Sequence, residues 1–420
     1  MKINLGRFPL HMKQFVMWVL LGILVGAVTG AVGTLFYYGL DFATVVRQEH
    51  PQLIWGLPLG GLFIVWLYRI TGRENDGGTN MVLSAVREEN GISRKTPPLI
   101  FIGTIVTHLF GGSAGREGAA LQIGGSIGST LARVLRMEQK NVTTMIMCGM
   151  SGAFTALFGT PMAAAIFSME VVSVGIFYYA ALVPTVLSGL VAMSVARYFG
   201  VHAEKFTILE MPEFALIPAV KIILLAMACA AVSELFCLVL HKLGHFFKQH
   251  IKNSYLRVVA GSFLLIGLTA LVQTTDYMGA GVDVIERAMS GQVRPEAFLC
   301  KMIFTAITLS VGFKGGEIVP TLYIGATFGC LVGQLIGLSP SLCAAVGMAA
   351  LFCGVTNCPI SSLLIALEMF GMEAAPYLLL AVAISYMLSG YDGLYESQKI
   401  VYSKFRKKYL GNQDPKNANK

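Results

Sequence analysis

Two short stretches place carboxylates in otherwise apolar surroundings. The first runs Gly115-Arg116-Glu117-Gly118-Ala119-Ala120-Leu121-Gln122-Ile123-Gly124-Gly125, and the second runs Gly315-Gly316-Glu317-Ile318-Val319-Pro320. In each, glycines lead into a run that begins a helix. A helix start has unpaired N–H groups and a partial positive charge. Glycines let that backbone come close to a bound ion. Two such starts converging would make an anion site. The candidate cradle is the backbone of Gly115, Arg116 and Gly118 on one side and of Ile318 and Val319 on the other. A small anion would be held there mainly by N–H groups.

Glu117 sits at the first of these starts. Ionised, its carboxylate can occupy the anion position; protonated, it can leave. A glutamate that competes with the anion and carries a proton would couple the two. On position alone it fits equally a first-turn carboxylate that satisfies its own helix dipole. Glu317 carries the same two readings, and the cost of an ionisable residue inside a membrane favours a function for it. Arg116 reads as a structural partner for a carboxylate or for carbonyl groups.

The elements that must hold these residues are membrane helices. The 420 residues are 55% hydrophobic and 13% charged, with mean hydropathy +0.68; a soluble domain is roughly a quarter charged. The runs Phe15–Gly39, Leu57–Tyr68, Ala180–Val195, Ile217–Val239 and Ala374–Leu388 are long enough, or nearly so, to cross a bilayer. The fold class is therefore an all-α polytopic membrane protein. Met1–His11 lacks the pattern of a cleaved signal peptide, so Phe15 onward reads as a retained first span. The net charge of +8 gathers at the ends. Lys2, Arg7 and Lys13 precede the first run, and Lys399, Lys404, Arg406, Lys407, Lys408, Lys416 and Lys420 follow the last. The positive-inside rule puts both termini in the cytoplasm of a cell-membrane protein. No aromatic or glycine-rich platform accompanies these charges, so lipid and not nucleic acid is the expected partner. Eight scattered cysteines form no CxxC or Cys/His cluster, so no metal or cofactor is expected. Without HExxH or a Cys/His site the chain does not read as an enzyme.

Gly22, Gly26, Gly30 and Gly33 form a small-residue stripe of the kind that lets membrane helices approach closely. Glycine and proline breaks are expected at 111–118, 124–128, 159–161, 312–320 and 357–359. Non-helical backbone at membrane depth needs protein or a water-filled cavity around it. The chain also repeats itself. At an offset of about 201, Gly111, Gly115, Leu121, Ile123, Gly124 and Gly128 fall on Gly312, Gly316, Leu322, Ile324, Gly325 and Gly329. At about 198, Gly149, Met150, Phe154, Pro161 and Glu170 fall on Gly347, Met348, Phe352, Pro359 and Glu368. An internal repeat with interrupted helices marks a transporter built from two similar halves. The division is 1–205 for the first repeat, 206–395 for the second, and 396–420 for a final helix segment and basic cytoplasmic tail. Glu170 and Glu368 read as helix-end or loop contacts.

These residues resemble the CLC family of anion channels and proton-coupled anion antiporters. The likeness rests on Gly115-Arg116-Glu117-Gly118, Gln122-Ile123-Gly124-Gly125, Gly315 through Pro320, and Leu394-Tyr395 before the basic tail. It covers about residues 15–406. It implies an inverted repeat whose broken helices meet at the bilayer midplane, in a homodimer with one pore per subunit. Glu117 then matches the gating glutamate. Tyr395 matches the tyrosine whose hydroxyl contacts the central anion from the inner side.

The departures carry information. The chloride-type Gly-Ser-Gly-Ile-Pro corresponds to Gly78-Thr79-Asn80-Met81-Val82. Gly78, Thr79, Asn80 and Met81 are thus candidate anion contacts, with Thr79 and Asn80 as hydroxyl or amide donors or else loop caps. Ala119 replaces a proline, and Glu317 and Ile318 replace an apolar and an aromatic residue. The inner proton-relay glutamate has no clean match; Glu204 is displaced by about two residues and His202 falls closer. These departures resemble the bacterial fluoride/proton antiporter branch, which implies fluoride export in exchange for protons. The alternative is a chloride/proton antiporter or chloride channel of the same fold. Fluoride is small, tightly hydrated and a strong acceptor. A protonated Glu317 could donate to it, or relay the proton inward.

Overall fold

The computed structural model describes residues 8–74, 76–88, 91–406 and 408–413. Lys2, Arg7, Lys407, Lys416 and Lys420, used above for topology, lie outside the described residues. The first eight helices are α1 (Phe8–Glu49), α2 (Leu57–Ile70), α3 (Thr79–Arg87), α4 (Thr96–Leu109), α5 (Glu117–Val134), α6 (Gln139–Phe158), α7 (Pro161–Glu170) and α8 (Leu182–Tyr198). The next eight are α9 (Leu216–His250), α10 (Ser254–Val272), α11 (Val282–Met289), α12 (Ala297–Val311), α13 (Ile318–Ile336), α14 (Pro340–Thr356), α15 (Pro359–Phe370) and α16 (Ala375–Leu388). Among the described residues seven helices are long and apolar enough to cross a membrane, and α4, α12, α14, α15 and α16 are shorter apolar helices. Proline in the first turn of α2, α4, α7, α14, α15 and α16 sets φ where no N–H partner is needed.

Glycines decide which helices touch. A Cβ on Gly22 would meet Pro184 O at 2.8 Å, one on Gly26 would meet Ser188 O at 2.5 Å, and one on Gly30 would meet the Ala192 Cα at 2.9 Å. The stripe thus seats α1 on α8, while Gly33 faces Ala156 of α6. The stretch 124–128, expected as a break, is unbroken helix inside α5. Its glycines serve contact instead of bending: a Cβ on Gly124 would lie 2.0 Å from Gly149 O, and one on Gly128 would lie 2.0 Å from Met145 O. The second half repeats this crossing of α13 on α14. Gly325 faces Gly347 O at 2.5 Å, and Gly329 faces Cys343 O at 2.1 Å. The chain leaves helical conformation at the other four glycine and proline sites.

The paired glutamates join the halves. Glu170, at the end of α7, accepts from Ile360 N at 3.1 Å, from Ser361 N at 2.8 Å and from Ser361 Oγ. Glu368, near the end of α15, accepts from Met162 N at 3.1 Å and Ala163 N at 2.9 Å. Each carboxylate therefore accepts from the first-turn N–H groups of the other half's helix.

The segment after α16 corrects one expectation. Within 396–413 there is no final helix among the described residues. Instead β1 (Ser173–Val174) pairs in parallel with β2 (Lys399–Tyr402), which pairs antiparallel with β3 (Tyr409–Gln413). The backbone is claimed by open groups at the ends of other elements. Leu394 N donates to Val355 O at 2.8 Å, and Gln398 Nε2 donates to Val171 O and Thr356 O, both at 2.9 Å.

Gly124→Ala should cost more than the usual 1–3 kcal/mol of overpacking, because the obstacle is backbone oxygen and cannot rotate away. Thermal unfolding in detergent checks it. Wild-type stability would show that the two helices can separate without loss.

Candidate functional site

The two glycine loops meet in the interior. Gly115 N donates to Gly316 O at 2.6 Å, and Gly316 N donates to Gly115 O at 2.8 Å. The starts of α5 and α13 are thereby fixed against each other. A Cβ on Gly316 would lie 2.5 Å from Gly118 N, and one on Gly118 would lie 2.8 Å from the Gly316 Cα. Ile318 and Val319 open α13 with their side chains buried in the core. Their role at the junction is that of backbone.

Glu117 is fully buried and does not stand alone. Its Oε1 accepts from Arg116 Nε at 3.1 Å, and its Oε2 accepts from Arg116 N at 3.2 Å. Arg116 also pairs with Glu204 and lies over the Tyr37 ring at 5.5 Å. One guanidinium thus serves two carboxylates. Glu204, weighed above as an inner proton relay, stands on the side of the junction marked by Arg116. The sequence offered no clean match for that relay; the ion pair shows where the linker after α8 folds.

The other side of the junction is a cavity of about 240 Å³. Gly78, Thr79, Asn80, Glu317 and Tyr395 all line it. Gly78 has φ +60°, a left-handed conformation that glycine adopts without strain, and its N–H donates to Asp76 Oδ1 at 2.9 Å. This turn aims the start of α3 at the site. Thr79 Oγ1 lies 3.4 Å from Gly118 O and accepts from Gln122 Nε2 at 3.4 Å. Asn80 Oδ1 accepts from Ser397 N at 3.0 Å and Ser397 Oγ at 2.9 Å, which ties α3 to the segment that carries Tyr395. Met81 packs against the core and is not among the cavity's lining residues.

Five polar atoms on the cavity's lining residues are buried without a hydrogen-bond partner: Glu317 Oε2, Tyr395 Oη, Gln122 Oε1, Asp76 Oδ2 and Ser310 Oγ. Glu317 Oε2 stands only 3.2 Å from where a Gly118 Cβ would be, so the carboxyl of the second helix start leans onto the backbone of the first. It makes no cap hydrogen bond on its own helix. Unmet donors and acceptors in a cavity are what a polar ligand or a transferred proton would satisfy. The sequence reading missed Gln122 as a contact. It also missed His241, His245 and Lys248 of α9 and Lys314 of the second loop, which line the same cavity. The signal for Lys314 was the repeat itself, since an offset of 201 sets it on Ser113. The α9 residues gave none, because only packing brings that helix here.

Known proteins resemble this chain in sequence and fold. The family model described as voltage gated chloride channel matches residues 60–390. A chloride/fluoride channel protein of Pseudomonas syringae pv. tomato is 35% identical over 394 residues, covering 92% of this chain and 87% of that protein. The crystal structure of a CLC-type fluoride/proton antiporter has a TM-score of 0.89 at 31% identity, over 92% of this chain and 98% of that one. The structure of a slow cyanobacterial Cl⁻/H⁺ antiporter shares the fold, with TM-score 0.77 at 19% identity over 89% and 94%.

Arg116→Gln should destabilise the protein by about 3–5 kcal/mol at neutral pH, since it leaves Glu117 buried without its counter-charge. The loss should shrink as pH falls, because a protonated carboxyl no longer needs that partner. Thermal unfolding across pH reads both effects; a pH-independent loss would assign Arg116 to packing alone.

Proposed function

The chain belongs to the voltage gated chloride channel family, the CLC family of anion channels and antiporters, and from that premise we propose that it exports fluoride in exchange for protons. It is a multi-pass protein of a transporter and channel family. The observation that carries the fluoride reading is Glu317. A second carboxyl group, buried and without a hydrogen-bond partner at Oε2, stands at a helix start where the chloride pattern is apolar.

Fluoride needs strong donors to replace its water. Protonated Glu317, the Tyr395 hydroxyl and the N–H groups at the starts of α5 and α13 could supply them. Chloride gains less from such donors, and an ionised Glu317 would repel it. A difference of about 2.7 kcal/mol already gives roughly hundredfold discrimination. The cavity beside Tyr395 is the inner approach. His241, His245, Lys248 and Lys314 there favour an anion leaving the cytoplasm. Glu117 is the gate at the outer side. Ionised, it competes with fluoride for the helix starts; protonated from outside, it withdraws and lets fluoride pass. The proton then moves inward as fluoride moves outward.

Topology and assembly accord with this reading. The loops between α2 and α4, between α5 and α6, and between α9 and α10 carry Arg73, Arg94, Lys95, Arg136 and Lys252, which supports a cytoplasmic inner end and cytoplasmic termini in the cell membrane. The halves 1–205 and 206–395 act as inverted repeats around the Gly115–Gly316 junction. The working unit is a homodimer. Met162 and Ile360, half exposed at the starts of the mutually capped α7 and α15, suit its apolar interface.

The deciding experiment is efflux from proteoliposomes loaded with equal fluoride and chloride, with proton uptake recorded. Fluoride should leave far faster than chloride and draw protons in. Equal rates for the two anions would return the chain to the chloride-transporting members of the family. Glu117→Gln should abolish coupled proton uptake and slow fluoride efflux, because an amide cannot cycle between charged and neutral forms. Wild-type coupling in that variant would remove Glu117 from the mechanism.

A further inference from the structure

A separate cavity of about 420 Å³ opens at the basic end of the fold, between the end of α2 and the start of α10. Arg69, Lys252, Arg257 and Lys314 line it, against the carboxylate of Glu74. Their hydrogen-bonding capacity is only partly used. Arg69 Nε meets Glu74 Oε1 at 3.2 Å, and its guanidinium lies over the Tyr255 ring at 5.6 Å. Arg257 donates to Ile251 O at 3.2 Å and to Ser254 Oγ at 3.3 Å, while its Nε is buried without an acceptor. The Lys314 ammonium lies 4.1 Å from the centre of the Tyr68 ring. An aromatic face attracts a cation but offers no lone pair in line with each N–H. An oxygen-rich anion would satisfy what remains.

The setting narrows the class of anion. Helices α2 and α10 are both candidate spans whose surfaces are mostly unburied within the chain. Ile64 and Val65 line the cavity with apolar groups. Ile70 and Leu256, exposed by 59% and 60%, sit at the cavity's ends of the same two helices. The cavity therefore joins a cationic polar part to two hydrocarbon-facing helices. A bare halide is far too small for this space and has no apolar part to place. Arginine forks match phosphate oxygens in pairs, and basic pockets between membrane helices at the inner face suit acidic headgroups.

We propose that this cavity binds the phosphate headgroup of an anionic glycerophospholipid, with its acyl chains lying along α2 and α10. Arg69 and Lys252 hold the phosphate from the surface, Arg257 from the wall, and Lys314 from within. Lys314 stands three residues before Glu317, so the headgroup contacts the loop that enters the transport site.

Native mass spectrometry of the purified full-length protein tests this, with phosphatidylglycerol and phosphatidylcholine offered in equal amounts. The wild type should retain phosphatidylglycerol about tenfold better. The double variant Arg69→Gln, Lys252→Gln should lose that preference at unchanged melting temperature, since both residues lie at the surface. Millimolar inorganic phosphate or glycerol phosphate should fail to displace the lipid. Equal retention of the two lipids, or an undiminished preference in the double variant, would overturn the site. Displacement by either soluble phosphate would overturn its assignment to lipid. The readout involves no fluoride, so its failure would leave the transport reading untouched.

Discussion

Gly115 and Gly316 each donate a hydrogen bond to the other's carbonyl, and this exchange holds two helix starts together inside an apolar protein. Helix N-termini carry partial positive charge and repel one another at short range. Bringing them into contact creates a place that favours negative charge. It also requires glycine, because any side chain at Gly316 or Gly118 would wedge the backbones apart. The crossings of α5 on α6 and of α13 on α14 follow the same logic one layer out. Glycine contact sets the angle at which each broken helix approaches the junction.

The two sides of the junction treat carboxylates differently. On one, Arg116 serves Glu117 and Glu204 together, so that Glu117 is held in a paired and largely satisfied state. On the other, Glu317 has a buried oxygen with no partner, beside a tyrosine hydroxyl and an amide oxygen in the same condition. Arg116 and Glu317 occupy equivalent positions in the repeat. Opposite charges at equivalent places break the symmetry that the glycines, the crossings and the reciprocal Glu170 and Glu368 caps otherwise maintain. A transporter that moves an anion one way and a proton the other needs such a difference between its ends. A symmetric pair of sites would give neither direction a distinct set of partners.

Tyr395 reaches the site through the segment that follows α16. That segment has little regular structure of its own. Its hydrogen bonds go to Val355, Thr356, Val171 and Asn80, which are open groups at the ends of helices or in loops. The Tyr395 side of the site is therefore assembled from four separate parts of the chain: the start of α3, the second turn of α5, the second glycine loop and this closing segment. The polar side chains that α9 adds come from a fifth part of the chain. Their common position is a product of packing.

Much of this was legible in the residues. Apolar runs interrupted by glycine and proline specify broken membrane helices, because hydrocarbon tolerates no unpaired backbone. The repeated glycines, with proline and glutamate at matched offsets, specify two related halves. Glu117 and Glu317 could be picked out because charge at such depth is costly. Other features had no local signal. The glycines at 124–128 read as a break and proved to be a contact surface, since a small residue permits either outcome and only a neighbouring helix chooses. The segment after Tyr395 read as helical and became strand, because its partners β1 and the ends of α7 and α14 lie more than a hundred residues away or in another element. Glu204 was displaced by two residues from the position sought for it, and its pairing with Arg116 shows that sequence distance does not measure depth. Local composition fixes where backbone groups can be satisfied within one helix; which distant group satisfies the remainder is decided only when the chain is folded.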